Sequence, residues 1–208
     1  MRPNIILICF FISASLFSQE QRTVEIIQAG KSIRNSIEYP DANILQKDKN
    51  LRVILFHDGA MIESDISYYY FNENSFKANG KVNFNQGDSI LLTSDFLEYD
   101  GKTKKAIAYG NVKLTRPDMK LETDTLYLDR PRNIAFYNSN GKIVDNDNTL
   151  ESISGTYYME PKKYIFKSNV NSYKNKNLIL DQATNFWKPE IVIKYFKDPK
   201  ILIVTRDP

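Results

Sequence analysis

Three aspartates recur at nearly constant spacing, Asp65, Asp95 and Asp124, with 95 − 65 = 30 and 124 − 95 = 29 residues between them. Each follows a hydroxyl residue, Ser64, Ser94 or Thr123. Stacked in register, such carboxylates would form a ladder that could attract cations, but without other oxygen ligands beside them they make a poor calcium site. The preferred reading is structural: each Asp accepts backbone N–H bonds where a strand ladder is disrupted. No metal and no cofactor is expected. A second set is basic and falls in turns: Lys102, Lys104 and Lys105, then Arg130 and Arg132, then Lys162 and Lys163. Stacked along one rim, these suit phosphate groups or an anionic partner. The competing reading, slightly preferred on the residues alone, is solvated turn cations that discourage unwanted edge pairing. His57, the only histidine, precedes Asp58-Gly59 in a turn and has no nucleophile or second histidine beside it, so no catalytic constellation forms. A polysaccharide hydrolase or lyase would need paired carboxylates in one cleft. The Asp spacing distributes them down a stack instead, and no enzyme is expected.

The elements that must carry these residues are strands. From Leu51 to Leu180, short runs of β-branched and aromatic residues alternate with polar ones and are broken by turn clusters such as Asn85-Gln86-Gly87-Asp88, Asp100-Gly101-Lys102-Thr103 and Asp129-Arg130-Pro131-Arg132. Such spacing fits strands joined by hairpin turns. The Asp copies are part of a longer repeat. Ser64-Asp65-Ile66 leads to Ala78-Asn79-Gly80-Lys81-Val82, Ser94-Asp95-Phe96 to Ala108-Tyr109-Gly110-Asn111-Val112, and Thr123-Asp124-Thr125 to Asn140-Gly141-Lys142-Ile143. A decayed fourth copy is expected at Ser154-Gly155-Thr156, with Gly155 in the Asp position, and a fifth at Leu180-Asp181-Gln182.

Side-chain parity gives the inward face. Ala106, Ala108, Val112 and Leu114 share one face, as do their equivalents Phe76, Ala78, Val82 and Phe84. In the Asp strands the apolar parity switches: Ile90, Leu92 and Ser94 precede Asp95 in one phase, and Leu97 and Tyr99 follow in the other. Leu121 and Thr123, then Leu126 and Leu128, repeat the switch around Asp124. A bulge or corner at each Asp explains it, and bends the meander once per repeat into two facing sheets. Val24 to Asn43 is less regular, with Val24, Ile26 and Ile27 as a first strand before Gly30. From Trp187 to Pro208 the repeat breaks, although Ile191–Ile193 and Ile201–Val204 read as strands.

The chain has 208 residues, 42% of them hydrophobic, enough for one packed domain. Its 28 Lys and Arg against 25 Asp and Glu are nearly balanced and give no reason to expect nucleic acid. Arg2 followed by an apolar run from Ile5 to Phe17 and then Ser18-Gln19-Glu20 reads as a cleavable export signal over residues 1–18. Cys9, the only cysteine, lies inside that run, so no disulfide is expected in the exported part.

The pattern resembles the OstA-like, or LptA-like, proteins of lipopolysaccharide transport over about residues 38–182. Tyr39-Pro40-Asp41-Ala42-Asn43-Ile44-Leu45, the three Ser/Thr-Asp copies and Gly110-Asn111-Val112 carry the resemblance. It implies an all-β, repeat-built antiparallel jelly roll, folded over and open along one side, located in the periplasm. That domain is assigned to residues 24–186, with 187–208 an irregular final segment. The implied ligand is lipopolysaccharide, through its lipid A acyl chains. The implied partners are other jelly-roll transport proteins stacked edge to edge, copies of the same chain included, and the outer-membrane translocon. The inward columns would then line a lipid slot: Phe76, Ala78, Val82 and Phe84; Ile90, Leu92, Leu97 and Tyr99; Ala106, Ala108, Val112 and Leu114; Leu121, Leu126, Leu128 and Phe136. Small members such as Ala78, Ala106, Ala108, Ser94 and Thr123 would leave the room, and bulky ones would form the walls. On the residues alone, the same columns also fit the solid core of a β-repeat scaffold or adhesion protein. Gly155 in place of Asp, Leu45-Gln46-Lys47 in place of a Gly-Asn-Val step, and the final segment all depart from the family pattern.

Overall fold

The computed structural model describes residues 22–88, 90–117, 119–145, 148–160, 163–167, 170–174, 177–180 and 202–205, which form strands and turns and no helix. In chain order the strands begin with β1 (Glu25–Gln28), β2 (Lys31–Arg34), β3 (Asn43–Gln46), β4 (Val53–His57), β5 (Ala60–Ser64) and β6 (Ile66–Tyr70). Four long strands follow: β7 (Ser75–Gln86), β8 (Ile90–Asp100), β9 (Lys105–Arg116) and β10 (Met119–Asp129). The remainder are β11 (Ile134–Tyr137), β12 (Gly141–Asp145), β13 (Asn148–Ser152), β14 (Ser154–Tyr158), β15 (Lys163–Lys167), β16 (Asn171–Lys174), β17 (Asn177–Leu180) and β18 (Leu202–Thr205). The export signal, Lys162, the fifth copy at Asp181 and Ile191–Ile193 lie outside the described residues. Of the final segment, Leu202–Thr205 is described, as a strand that pairs parallel to β15.

Sequence neighbours pair antiparallel into one sheet that is folded lengthwise. One half contains β1, β4, β5, the second part of β7, the first part of β8, the second part of β9, the first part of β10, then β12, β13, β16 and β17. The other half contains β2, β3, β6, the remaining parts of β7 to β10, then β11, β14 and β15. The long strands belong to both halves and turn the corner. Their burial changes phase there: Ile90, Leu92 and Ser94 are buried before Asp95, and Leu97 and Tyr99 after it. The inward side chains of both halves form one continuous hydrophobic core. Backbone pairing thus joins the halves at the crease, whereas the opposite long side, the mouth, lies between two rows of turns.

Each corner is a bulge in which two residues oppose one. Gly80-Lys81 lies opposite Asp95, between the pairs Asn79–Phe96 and Val82–Ser94. Gly110-Asn111 lies opposite Asp124, between Tyr109–Thr125 and Val112–Thr123. Gly80 and Gly110 have φ of +79° and +76°, a region that side chains enter only with strain. They also meet the Asp of their own copy, since a Cβ on Gly80 would lie 3.0 Å from Asp65 Cβ and one on Gly110 2.8 Å from Asp95 Oδ2. The Ser/Thr-Asp and Gly-x-Val motifs are therefore the two sides of one joint.

The later copies differ from the sequence expectation. Gly141 pairs with Thr123, the place that Val112 takes on the other side, so it does not match Gly110. The left-handed residue of this corner is Asn140, with φ +61°. The fourth corner falls at Ile153, between β13 and β14 and 153 − 124 = 29 residues after Asp124, so Ile153, and not Gly155, occupies the Asp position. The Ser152 hydroxyl bonds the Ser154 carbonyl across this bend as Ser94 bonds Phe96. Gly141 and Gly155 answer instead to Tyr137: a Cβ would lie 2.3 Å from its ring at Gly141 and 2.7 Å at Gly155. That buried ring fills the space the glycines leave and bonds Ser152 Oγ through its hydroxyl at 2.7 Å.

Candidate lipid slot and its mouth

Rows of paired residues show how the interior is filled. In the half containing β2, Ala78 pairs with Leu97, Leu97 with Ala108, and Ala108 with Leu126. The neighbouring row runs from Phe76 through Tyr99, Ala106 and Leu128 to Ala135. The opposite half contributes a bulky row, Phe84, Leu92, Leu114, Leu121, Ile143 and Leu150. Alanines on one wall thus accompany large side chains on the other. Of the residues named from sequence, Phe76, Ala78, Val82, Phe84, Leu92, Leu97, Ala108, Val112, Leu114 and Leu126 are at most 1% exposed. Ile90, Tyr99, Ala106, Leu121 and Leu128 are also buried. Phe136 is a correction. It is 38% exposed and stacks on Tyr127 at 4.7 Å on the outer surface, because β11 starts in the phase that turns Ala135 and Tyr137 inward.

The corner aspartates accept side-chain rather than backbone bonds among the described residues. Asp65 holds Lys47 at 2.7 Å and Arg52 at 3.5 Å. Asp95 accepts from Asn111 Nδ2 at 2.7 Å, and Asp124 from Thr125 Oγ1 at 3.4 Å. Arg52 also donates to the carbonyls of Gly80 and Lys81 in the bulge, and the Gly80 carbonyl accepts from the Asp65 amide as well, at 3.0 Å.

The basic turns are not one free column. Lys105 and Arg132 both approach Asp129, at 3.6 and 3.9 Å, and Lys102 donates to the Asn72 carbonyl. Lys163 contributes backbone to β15. Lys104 and Arg130 instead reach across the mouth. Lys104 Nζ lies 2.6 Å from Asp58 Oδ2, on the β4–β5 turn of the other half. Arg130 donates to the carbonyls of Asp58 at 2.7 Å and His57 at 3.4 Å, to Gln86 Oε1 at 3.2 Å and to Tyr99 Oη at 2.8 Å. Tyr99 Oη, which accepts from Arg130, also hydrogen-bonds His57 Nδ1 at 2.8 Å. His57 Nε2–H then donates to the Arg22 carbonyl, also at 2.8 Å. His57 is buried structure. Lys104, followed by Arg130 and Arg22, holds the Asp58 carboxyl below its usual range against the opposing effect of burial. Burial raises the Tyr99 phenol, which Arg130 partly offsets, and pushes Tyr137 up to about 12.

Sequence reasoning missed this clasp. The one available signal was a histidine and an aspartate side by side in a tight turn, His57-Asp58-Gly59.

The model of the OstA-like protein family matches residues 21–182, most of the chain, and the chain belongs to that family. No curated protein matches it. Among solved structures, the chain is similar to LptH from Pseudomonas aeruginosa, a periplasmic component of the lipopolysaccharide transport device and homologous to LptA. Identity is 17% with a TM-score of 0.49, covering 52% of this chain and 82% of that one. The TCP10 domain of Danio rerio CPAP aligns at 12% identity and a TM-score of 0.14, covering 73% of this chain and 98% of that one.

Proposed function

We propose that the protein is a non-enzymatic periplasmic carrier, or a bridge component, that shields lipopolysaccharide acyl chains on their way to the outer membrane. The observation that carries this reading is a continuous apolar core in a sheet whose halves, among the described residues, are joined by backbone along the crease but only through side chains at the mouth. Exposing an acyl chain to water costs roughly 0.8 kcal/mol per methylene, so about a dozen carbons cost on the order of 10 kcal/mol. A fold that can part along one side hides that surface without enclosing it permanently. Membership of the OstA-like family supports the same reading. Transfer between molecules would use exposed strand edges; among the described residues β1 pairs with β4 and β2 with β3, each on one edge. Phosphates of the lipid A head group would lie along the basic turns.

The complete burial of Leu92, Leu97, Ala108 and Leu114 favours a second reading, a scaffold with a permanently packed core. Site-specific photo-crosslinking in cells separates the two, with the probe at Leu92, Ala108 or Leu114 and at outward-facing Tyr109 and Phe136 as controls. Lipopolysaccharide adducts confined to the first three are expected. Their absence in a folded, exported protein would favour the scaffold.

A further inference from the structure

Resting on the carrier reading, we infer that Lys104 and Arg130 latch the mouth to the Asp58 turn, and that the phosphate of an incoming amphiphile releases the latch by taking over their hydrogen bonds. In the latched state the mouth, among the described residues, has no room for a hydrocarbon chain. At the mouth, a crevice lined by Phe84, Gln86 and Ile90 from one half and Leu128, Arg130 and Ile134 from the other encloses about 20 Å³, space for roughly one water. An acyl chain entering at the mouth requires the halves to part there, and parting them breaks the bonds from Arg130 to Gln86, His57 and Asp58 and from Lys104 to Asp58.

Three observations point to an anion as the releasing group. First, the clasp carries surplus positive charge. Arg22, Lys104 and Arg130 surround the single carboxylate of Asp58, while Asp100 is occupied by the backbone N–H groups of its own turn, Lys102 and Thr103. Second, the partners of the Arg130 guanidinium are neutral, namely two carbonyls, an amide oxygen and a phenol. A phosphate accepts from the same fork with charge assistance and makes the stronger bonds. Third, Lys104 holds a left-handed backbone, φ +56°, at the turn position where the flanking copies have Asn74 (φ +53°) and Asn133 (φ +54°). Asn enters that region more readily than Lys, and the departure falls in the copy whose turn faces Asp58. The Lys104 carbonyl also accepts from the Arg130 amide at 3.3 Å, which holds the two cations as neighbours on one rim.

The test uses the exported chain and two fluorescent amphiphiles with the same acyl chain, one with a phosphate head and one with a neutral hydroxyl head. Wild type is expected to bind the phosphate-headed probe about tenfold tighter. Lys104→Asn, which restores the residue of the neighbouring turns, and Arg130→Gln should each bind the neutral probe several-fold tighter than wild type does. In the double variant the head-group preference should fall to within about twofold. Circular dichroism establishes that each variant is folded. Equal affinity for both probes in wild type, unchanged in the variants, would overturn the latch and leave the carrier standing. Folded variants that lose phosphate-headed probe without gaining neutral probe would make the cations a head-group site alone, which also overturns the latch. Failure of both probes to bind any folded form would remove the carrier reading, and the latch with it.

Discussion

Replacing Gly110 by alanine isolates the joint between the two repeat motifs. The new Cβ meets two separate costs. The backbone at φ +76° costs an L-residue about 1–2 kcal/mol. The Cβ would also sit 2.8 Å from Asp95 Oδ2, 3.0 Å from its Cβ and 3.3 Å from its Cγ. The carboxylate tip can rotate away, but the Asp95 Cβ is fixed by β8, and crowding of this kind costs about 1–3 kcal/mol. The expected destabilisation is the sum, about 2–5 kcal/mol. Gly59 supplies the control, because it has almost the same φ, +79°, and a Cβ there would meet nothing within 4 Å; Gly59→Ala should cost the backbone portion only, about 1–2 kcal/mol. Urea unfolding of both variants gives the comparison, and with a slope of about 2 kcal/mol per molar a loss of about 3 kcal/mol moves the midpoint by about 1.5 M. In an Asp95→Gly background, which removes the facing Cβ, Gly110→Ala should fall to the Gly59 value, leaving a coupling of about 1–3 kcal/mol. If Gly110→Ala is no more harmful than Gly59→Ala, the Asp–Gly contact does not define the corner.

Three further outcomes are expected. Gly155→Ala should destabilise by about 1–3 kcal/mol through contact with the Tyr137 ring, and urea midpoints should show most of that loss vanish in a Tyr137→Ala background. Lys142→Ala, which breaks an exposed pair with Glu151 at 3.6 Å, should change stability by less than about 0.5 kcal/mol; a larger loss by the same assay would mean the outer charge row is coupled to the core. Asp58 has a lowered folded pKa, so its ionised form stabilises the fold above the ordinary carboxyl value of about 4, and that contribution is lost as pH falls through the lowered value. The groups facing it are Lys104, Arg130 and Arg22, with His57 and Tyr99 beside them. Asp58→Asn should therefore be less stable than wild type by a constant amount from about pH 5 to 8, and the difference should shrink below about pH 4. A gap that persists in strong acid would exclude the ion pair as its cause.

The parts of this fold legible in the sequence are those written into local periodicity. A two-residue alternation that changes phase at Asp95 admits few explanations other than a bent strand, and β8 bends there. The motif register failed where one residue type serves two purposes. Gly110 is needed for its backbone, Gly141 and Gly155 for the volume of a ring that lies inside the sheet, and a Gly in a sequence does not say which. Phe136 was misplaced for a related reason: the turn before β11 resets the phase, and the pair Ala135 and Tyr137 carried the better signal for the inward face. The mouth contacts had no periodic signature. They join Asp58, Gln86, Tyr99, Lys104 and Arg130 across two half-sheets, and only the folded chain brings them together.

The corner repeat also makes the molecule a ruler. Each copy of 29 or 30 residues adds two strands to each half, and at about 4.8 Å per strand the interior lengthens by roughly 10 Å per copy. Length can change only in such steps. Half a copy would reverse the direction of the next strand and leave its Asp without a facing Gly. A relative with one copy more or fewer should keep the same cross-section and the same corners, and differ only in how much of a guest it covers.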